Sequence, residues 1–598
     1  MDCDFLAEIC ENSFNWCLEN ARRSLERRNP NHALGWCSTA AWLASRRSSF
    51  GLLASPDIEH IIARAASVLP RPFFQRKEGC QGKRWLHVFT EAYEVYGHTK
   101  LCRIWIENDA AKNCHSVLLT SQDYPIPENL RVLVESKGGS LVKLDPSLPL
   151  LDRAAALREY AYEHADAVVL HIHMDDLIPM AAFSVPGGPP VVYMNHADHA
   201  FWIGRSVADV VFDIRDSGRK WTLNHRCVPR SQIVPIPLDR TTNGDEAFQK
   251  QAKAEARRKL SLPQSAVILL TIGGAKKYLP MKDLDFTLVA ERILQRNPQA
   301  LLIAVGPKCT GNWKRLSLLT QGRLQPVGVQ ADLTNYHLAA DIYLEGFPAG
   351  SLTAMLEAGL AKLPCVSAPK QVAPPCSSDG IALGEVRRPV DLDDYVAQVE
   401  ALIADPETRR QQGIALSHRI FEHHCGDGWL QYLEHACAKI PQVHEVYADR
   451  QPKPLPIETR DFLLRFYNRF ENDEPYVPLL IDLLSMVKQK VVLNQELDQP
   501  LEKILEKCWA HTSVPSAGAK DVKRFQRHIA HRAVSNALTA LAVQNSDHGK
   551  RTDTIRFALR AFWCDFTRLV DVEIYKAIAR GVLGNSAYKR IGRLTHPS

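Results

Sequence analysis

Residues 341–366, DIYLEGFPAGSLTAMLEAGLAKLPCV, set glycines, hydroxyls and a carboxylate in an order that suits a phosphorylated ligand. Ile342-Tyr343-Leu344 is a short apolar run of the kind that forms a buried strand, and Gly346, Pro348 and Gly350 then turn the chain into Ser351-Leu352-Thr353. Leu352, Met355, Leu356, Gly359 and Leu360 recur at spacings of three and four, which predicts one apolar helical face. A strand, a glycine-rich turn and a helix leave the first helical N–H groups without partners where a ligand can approach closely, which makes an anion site. The hydroxyls of Ser351 and Thr353 are placed to cap the helix or to donate to a phosphate oxygen, and the helix dipole adds about 0.3–1 kcal/mol for a negative charge there. Glu357 would repel phosphate but can accept from a ribose diol. An ordinary capped helix with Glu357 on a solvated face carries the same local pattern.

Three further stretches carry reactive side chains. Thr271-Ile272-Gly273-Gly274, with Lys276, Lys277 and Lys282 after it, follows an apolar run; its glycines admit a phosphate and its lysines can neutralise one. Lys276 and Lys282 are the chosen pair, Lys277 being read as solvated, and a surface lysine cluster is the plain alternative. Tyr193-Met194-Asn195-His196-Ala197-Asp198-His199-Ala200-Phe201-Trp202 puts polar residues at the end of an apolar strand, followed by two aromatics. His196 is the candidate general base there, with Asp198 or another carboxylate to orient it, while His199 is the neighbour read as capping or packing. His171-Ile172-His173-Met174-Asp175-Asp176 places two histidines on one face of a strand end. Gly97 and His98, after the first strand of the same domain, are candidate cleft-lining residues along with His173.

These residues need elements to hold them. From Trp85 the pattern alternates: LHVFT, HSVLLTS, SLVKL, AVVLHIH, VVYMNHADHAFW and ADVVFDI are six strands, with LCRIWIEND and residues 153–164 as helices between them. A second series starts near Ser265 with AVILLTI, FTLVAERILQRNP, ALLIAVGP, LQPVGV, the stretch 341–366 and LPCVSAP. Strands alternating with helices predict doubly wound, mostly parallel sheets, which bind ligands at the carboxyl ends of their strands. Residues 1–80 read as a helical extension, with two amphipathic runs parted by Asn29-Pro30-Asn31 as in one tetratricopeptide-like hairpin. The domains expected are thus 1–80, 81–238, 239–442 and a helical region 443–598 of unassigned role, with Val234-Pro235-Ile236-Pro237-Leu238 joining the two sheets.

The stretch 341–366 also resembles the donor-nucleotide signature of GT-B glycosyltransferases. Phe347-Pro348 and Gly350-Ser351-Leu352-Thr353 are similar to the O-GlcNAc-transferase-like branch, while Glu345 and Glu357 are similar to the retaining, sucrose-synthase-like branch. The resemblance implies an α/β chain of two doubly wound Rossmann-like domains facing a cleft, with helical N- and C-terminal extensions. It implies a hexosyl- or N-acetylhexosaminyl-transferase that draws on a nucleoside-diphosphate sugar as substrate, without metal or other cofactor. Gly273, Gly274, Lys276, Lys282, Gly350, Ser351, Thr353 and Glu357 would bind the donor, His196 would face the acceptor, and inverting and retaining chemistry both stay open. His171-x-His173-x-Asp175 resembles instead the di-metal motif of metallo-β-lactamase-like hydrolases, although Asp176 stands where that family has a third histidine.

Composition narrows the classes. A chain of 598 residues is too long for one core, and 45% hydrophobic with 23% charged residues is the balance of a globular protein. A net charge of +6 from 73 basic and 67 acidic residues argues against a dedicated nucleic-acid binder. No apolar run reaches the roughly 18–20 residues of a membrane span, the start MDCDFLAEIC is acidic, and 15 scattered cysteines show no CxxC pair. Reduced thiols in a cytoplasmic protein are expected. The acceptor class stays open among glycan, lipid and protein, and the helical ends are candidates for a peripheral membrane or protein contact. A sugar-nucleotide epimerase or phosphorylase, or a non-catalytic nucleotide-sugar-binding protein, are the competing functions on the same scaffold.

Overall fold

The computed structural model describes residues 3–46, 51–70, 81–94, 97–122, 125–239, 246–447 and 450–468, with a few positions between 552 and 559. Three helices open the chain, α1 (Cys3–Glu26), α2 (Pro30–Arg46) and α3 (Pro56–Ala66). Ser55 caps α3 by accepting from the Ile58 N–H, and Pro56 takes the first-turn place where its missing N–H costs nothing. The three helices share one core with the first sheet: Ile58, Ile61 and Ile62 lie in the same buried cluster as Met180 and Phe183. Glu59 fixes the contact, its buried carboxylate accepting from the N–H groups of Gly204, Arg205 and Ser206 at 2.7–3.0 Å.

The first domain is a seven-stranded, wholly parallel sheet in the order β3-β2-β1-β4-β5-β6-β7. Its strands are β1 (Arg84–Phe89), β2 (Cys114–Leu119), β3 (Leu141–Lys143), β4 (Ala167–His171), β5 (Val191–Asn195), β6 (Val210–Asp213) and β7 (Ser231–Ile233). The helices between them are α4 (Gly97–Asn108), α5 (Glu128–Ser136), α6 (Leu150–His164), α7 (Ile178–Ala182) and α8 (Asp216–Asn224). Six of the strands are those expected. The seventh, β7, is a three-residue edge strand of sequence SQI whose polar residues give no apolar run to detect. β5 ends at Asn195, and the aromatics beyond it belong to the core: Phe201 and Trp202 are fully buried and Trp202 stacks on Tyr193 at 4.3 Å. Burial worth roughly 1.5–3 kcal/mol per side chain accounts for the aromatic pair without a ligand.

The second domain follows α9 (Glu246–Lys259) and is a five-stranded parallel sheet in the order β10-β9-β8-β11-β12. It comprises β8 (Val267–Ile272), β9 (Ala300–Val305), β10 (Leu324–Gly328), β11 (Ile342–Leu344) and β12 (Cys365–Val366). Helices α10 (Phe286–Arg296), α11 (Gly311–Leu319), α12 (Thr334–Ala339), α13 (Leu352–Leu360), α14 (Leu392–Ala404) and α15 (Pro406–His424) complete it. Asp285 starts α10 by accepting from the Thr287 N–H, and Asp405 starts α15 in the same way from Glu407 and Thr408.

The chain then returns to the first domain. Helix α16 (Gly426–Cys437) buries Trp429 and Leu433 with Trp85 and Trp105 of the first domain, and Trp429 Nε1 donates to Pro235 O at 2.7 Å. Helix α17 (Ile457–Asn468) lies where both cores meet, Leu464 packing with the first and Leu463 and Phe466 with the second. It falls at the start of the expected helical region 443–598, most of which lies outside the described residues. Among the described residues no helix is long and apolar enough to cross a membrane, and no disulfide joins the described cysteines.

Candidate active site

A cleft of about 670 Å³ separates the two sheets at the carboxyl ends of their strands, within the range of small-molecule sites. On the second-domain side β8 ends at Ile272 and the chain passes Gly273 and Gly274 into a 3-10 turn, Ala275–Tyr278. Successive residues of such a turn point about a third of a circle apart, so adjacent lysines diverge. Lys276 and Lys282 are exposed and do not line the cleft, whereas Lys277 does. Its Nζ donates to Gly350 O at 2.8 Å and to Ser351 Oγ at 2.9 Å. The lysine read as solvated is therefore the one the fold turns inward. Gly273 lines the cleft and Gly274 sits exposed beside it.

Ser351 makes no capping bond to α13, its hydroxyl being taken by Lys277. The first-turn N–H groups of α13 have no intrahelical partner, and the residues that carry them, Leu352, Thr353 and Ala354, line the cleft. Gly350 is required from within: a Cβ there would collide with Glu345 Oε1. Glu345 is itself fully buried and accepts from the N–H groups of Ala368 and Ser378, both at 2.7 Å, so it clamps two loops instead of meeting a ligand. Ser378 lines the same end of the cleft and its buried Oγ has no hydrogen-bond partner among the described residues. Glu357 lines the cleft a turn and a half into α13 and pairs with Lys100 Nζ of the first domain at 3.0 Å.

The opposite wall carries the histidines. His196, just past β5, stacks on His98 of α4 with ring centroids 5.5 Å apart. Its Nδ1 lies 3.2 Å from Met194 O; a carbonyl can only accept, so the proton sits on Nδ1 and Nε2 keeps its lone pair. Burial, with His98 beside it, pushes the His196 imidazole down to about 4. Gly97 and His98 both line the cleft, while His173 does not line it and meets His98 edge-on at 6.4 Å. Asp198 orients His199, 3.5 Å away, and not His196. Burial favours the neutral acid at Asp198, but the Arg215 guanidinium, at 2.5 and 2.9 Å, overrides it and holds the carboxyl far below its usual range.

Arg215 ties the walls together at the cleft floor. It is buried, and beyond Asp198 it donates to Pro375 O at 2.7 Å, Ser377 O at 3.0 Å and Asp379 Oδ1 at 3.3 Å in the second domain. Phe466 of α17 closes one side, 6.3 Å from the His199 ring. Lys277, Lys100, Arg215, Ser378 and Phe466 are among the cleft residues that local patterns missed.

The His171-x-His173-x-Asp175 motif is not gathered into one ligand set. His171 lies in the core, where its Nε2 is 3.0 Å from His87 Nδ1, His87 Nε2 is 3.0 Å from His115 Nδ1, and His115 Nε2 is 2.9 Å from Asp109. Asp176 accepts from the hydroxyls of Thr90 and Thr120 and from the Ile178 N–H. Among the described residues, His87, Cys102 and His171 form the group with ligand atoms near enough for a metal, and all three are buried.

Two parallel α/β domains with a cleft between the carboxyl ends of their strands form the GT-B architecture, and the chain resembles the glycosyltransferases built on it. No protein-family model matches the chain. A D-inositol 3-phosphate glycosyltransferase of Thermobifida fusca (strain YX) is 27% identical over 198 residues, 30% of this chain; the match spans 44% of that relative, less than half its length. Among solved structures, a glycosyltransferase from Rickettsia africae ESF-5 aligns at 12% identity with a TM-score of 0.45 over 60% of this chain and 98% of its own. An O-GlcNAc transferase of Thermobaculum terrenum aligns at 14% identity with a TM-score of 0.43, over 72% of this chain and 81% of its own.

Proposed function

We propose that the chain is a glycosyltransferase that moves a hexosyl or N-acetylhexosaminyl group from a nucleoside-diphosphate sugar to an acceptor hydroxyl in the cleft. The observation that carries this reading is the opposition of two walls: an anion-binding helix terminus with Lys277 and Ser351 on one, and the His98–His196 stack on the other. The diphosphate would sit at the first turn of α13, where Lys277, Ser351, Thr353 and the backbone N–H groups meet it, and Glu357 would accept from the ribose diol. As the bond from the anomeric carbon to the phosphate oxygen breaks, negative charge grows on the leaving diphosphate, and fixed donors there lower the barrier. The acceptor oxygen bonds to the anomeric carbon and its proton passes to a base, for which His196 Nε2 holds a lone pair. In a retaining course the same nitrogen would accept from a hydroxyl of the transferred sugar. The helix terminus and Lys277 take the place of a divalent ion, so transfer should persist in EDTA. The likeness to the Thermobifida fusca glycosyltransferase supports the class of reaction.

A panel of nucleotide sugars in a thermal-shift assay tests this reading. A ligand at 100 times its dissociation constant adds about 2.7 kcal/mol of stability, so a true donor raises the melting temperature where the free sugar does not. No shift with any nucleotide sugar or nucleoside diphosphate would overturn it.

A further inference from the structure

Lys100 lies on α4 of the first domain and spans the cleft to Glu357 of the second, with 3.0 Å between Nζ and Oε1. The carboxylate assigned above to the ribose is thus already occupied. A second partner stands beside it: Asp239, on the segment joining the domains, places Oδ2 3.3 Å from the same Nζ. Asp239 is held in turn by Arg103, one turn along α4, at 2.8 Å. Desolvation works against the Lys100 charge, and the two carboxylates more than restore it.

We propose that Lys100 is a specificity-determining residue for the donor's ribose, a cation shared between Glu357 and Asp239 that gives up Glu357 and keeps Asp239 when a cis-diol takes Glu357. The exchange leaves no charge stranded, because the ammonium keeps Asp239 as its partner while the diol hydroxyls donate to the carboxylate it vacates. Only a ligand able to offer those donors drives the exchange. A diphosphate without the diol leaves Lys100 where it is, so only the ribonucleotide meets this competition, and Lys100 tempers the preference for the diol that Glu357 creates. The inference rests on the donor-site reading.

Calorimetric titration of the full chain with UDP, GDP, ADP and CDP, and with the 2′,3′-dideoxy form of whichever binds, tests it. The readout is the ratio of the affinity for the ribonucleotide to that for its dideoxy form, which cancels any general effect of charge on the diphosphate. Lys100→Met removes the competitor and should raise the ratio about two- to fivefold, the worth of a half-exposed ion pair. Asp239→Asn removes the partner that the ammonium keeps and should lower the ratio by a similar factor. Opposite shifts sustain the proposal; an unchanged ratio in both variants, or a shift of both in one direction, overturns it and leaves the donor site standing. A wild-type chain that binds none of the four diphosphates overturns the donor site and this proposal together.

Discussion

Lys277 Nζ stands 2.9 Å from Ser351 Oγ, joining the turn after β8 to the first residue of the α13 helix cap. The bond brings a cation and a helix N-terminus to one point of the cleft, and each alone favours an anion. If a diphosphate lies there, Lys277→Ala should weaken nucleoside diphosphate binding about 10- to 100-fold, the range for one charge-assisted hydrogen bond, and leave the free nucleoside nearly unaffected. Lys276→Ala and Lys282→Ala, at exposed sites outside the cleft, should change neither. Titration calorimetry decides it, and a larger loss in either of the latter variants would return the role to the exposed lysines.

The divergence of Lys276 from Lys277 shows where the sequence stops being legible. The strands of both sheets read clearly because parallel strands buried on both faces are continuous apolar runs, and the strand, turn and helix of residues 341–366 appear as expected in β11, Gly350 and α13. β7 gave no such run. Which lysine of a turn faces inward depends on the turn type, which residues 273–282 do not declare. Lys100 pairs with a residue 257 positions away, and Phe466 enters from a helix that follows both sheets; no local pattern reports either. Asp198 was legible as a carboxylate beside histidines, but its allegiance to Arg215 and His199 is a matter of packing.

Arg215 links Asp198 to three groups of the second domain from a buried position, and its loss would strand the Asp198 carboxylate in the core. Arg215→Met should destabilise the protein by roughly 3–5 kcal/mol, and Arg215→Lys should recover little because a single ammonium cannot match the forked contacts. Chemical denaturation measures both. A loss below about 1 kcal/mol for Arg215→Met would show that the interdomain contacts are dispensable.

Acid should weaken the fold in a definite window. His196 and His424 are each pushed down to about 4, in both cases chiefly by burial, whereas the unfolded chain titrates them near 6.5. Between those values the unfolded state binds more protons, so stability rises with pH there. The contribution is fully present above about 6.5 and is lost as the pH falls towards 4. Melting temperatures should therefore drop from pH 7 to pH 4.5, less steeply in the His196→Asn, His424→Asn double variant. An equal drop in that variant would assign the acid sensitivity to other groups.

If a sugar is transferred in the cleft, His196 faces the reacting centre. The most direct test is the rate at which the nucleoside diphosphate is released from the nucleotide sugar that stabilises the protein, in the wild type and in His196→Ala. Release should be measurable in the wild type, undiminished by EDTA, and about 10²- to 10⁴-fold slower in the variant. Nucleotide affinity should be nearly unchanged, and the same assay on His199→Ala separates the two imidazoles. No release from any donor by the wild type, or release by His196→Ala at the wild-type rate, would contradict it.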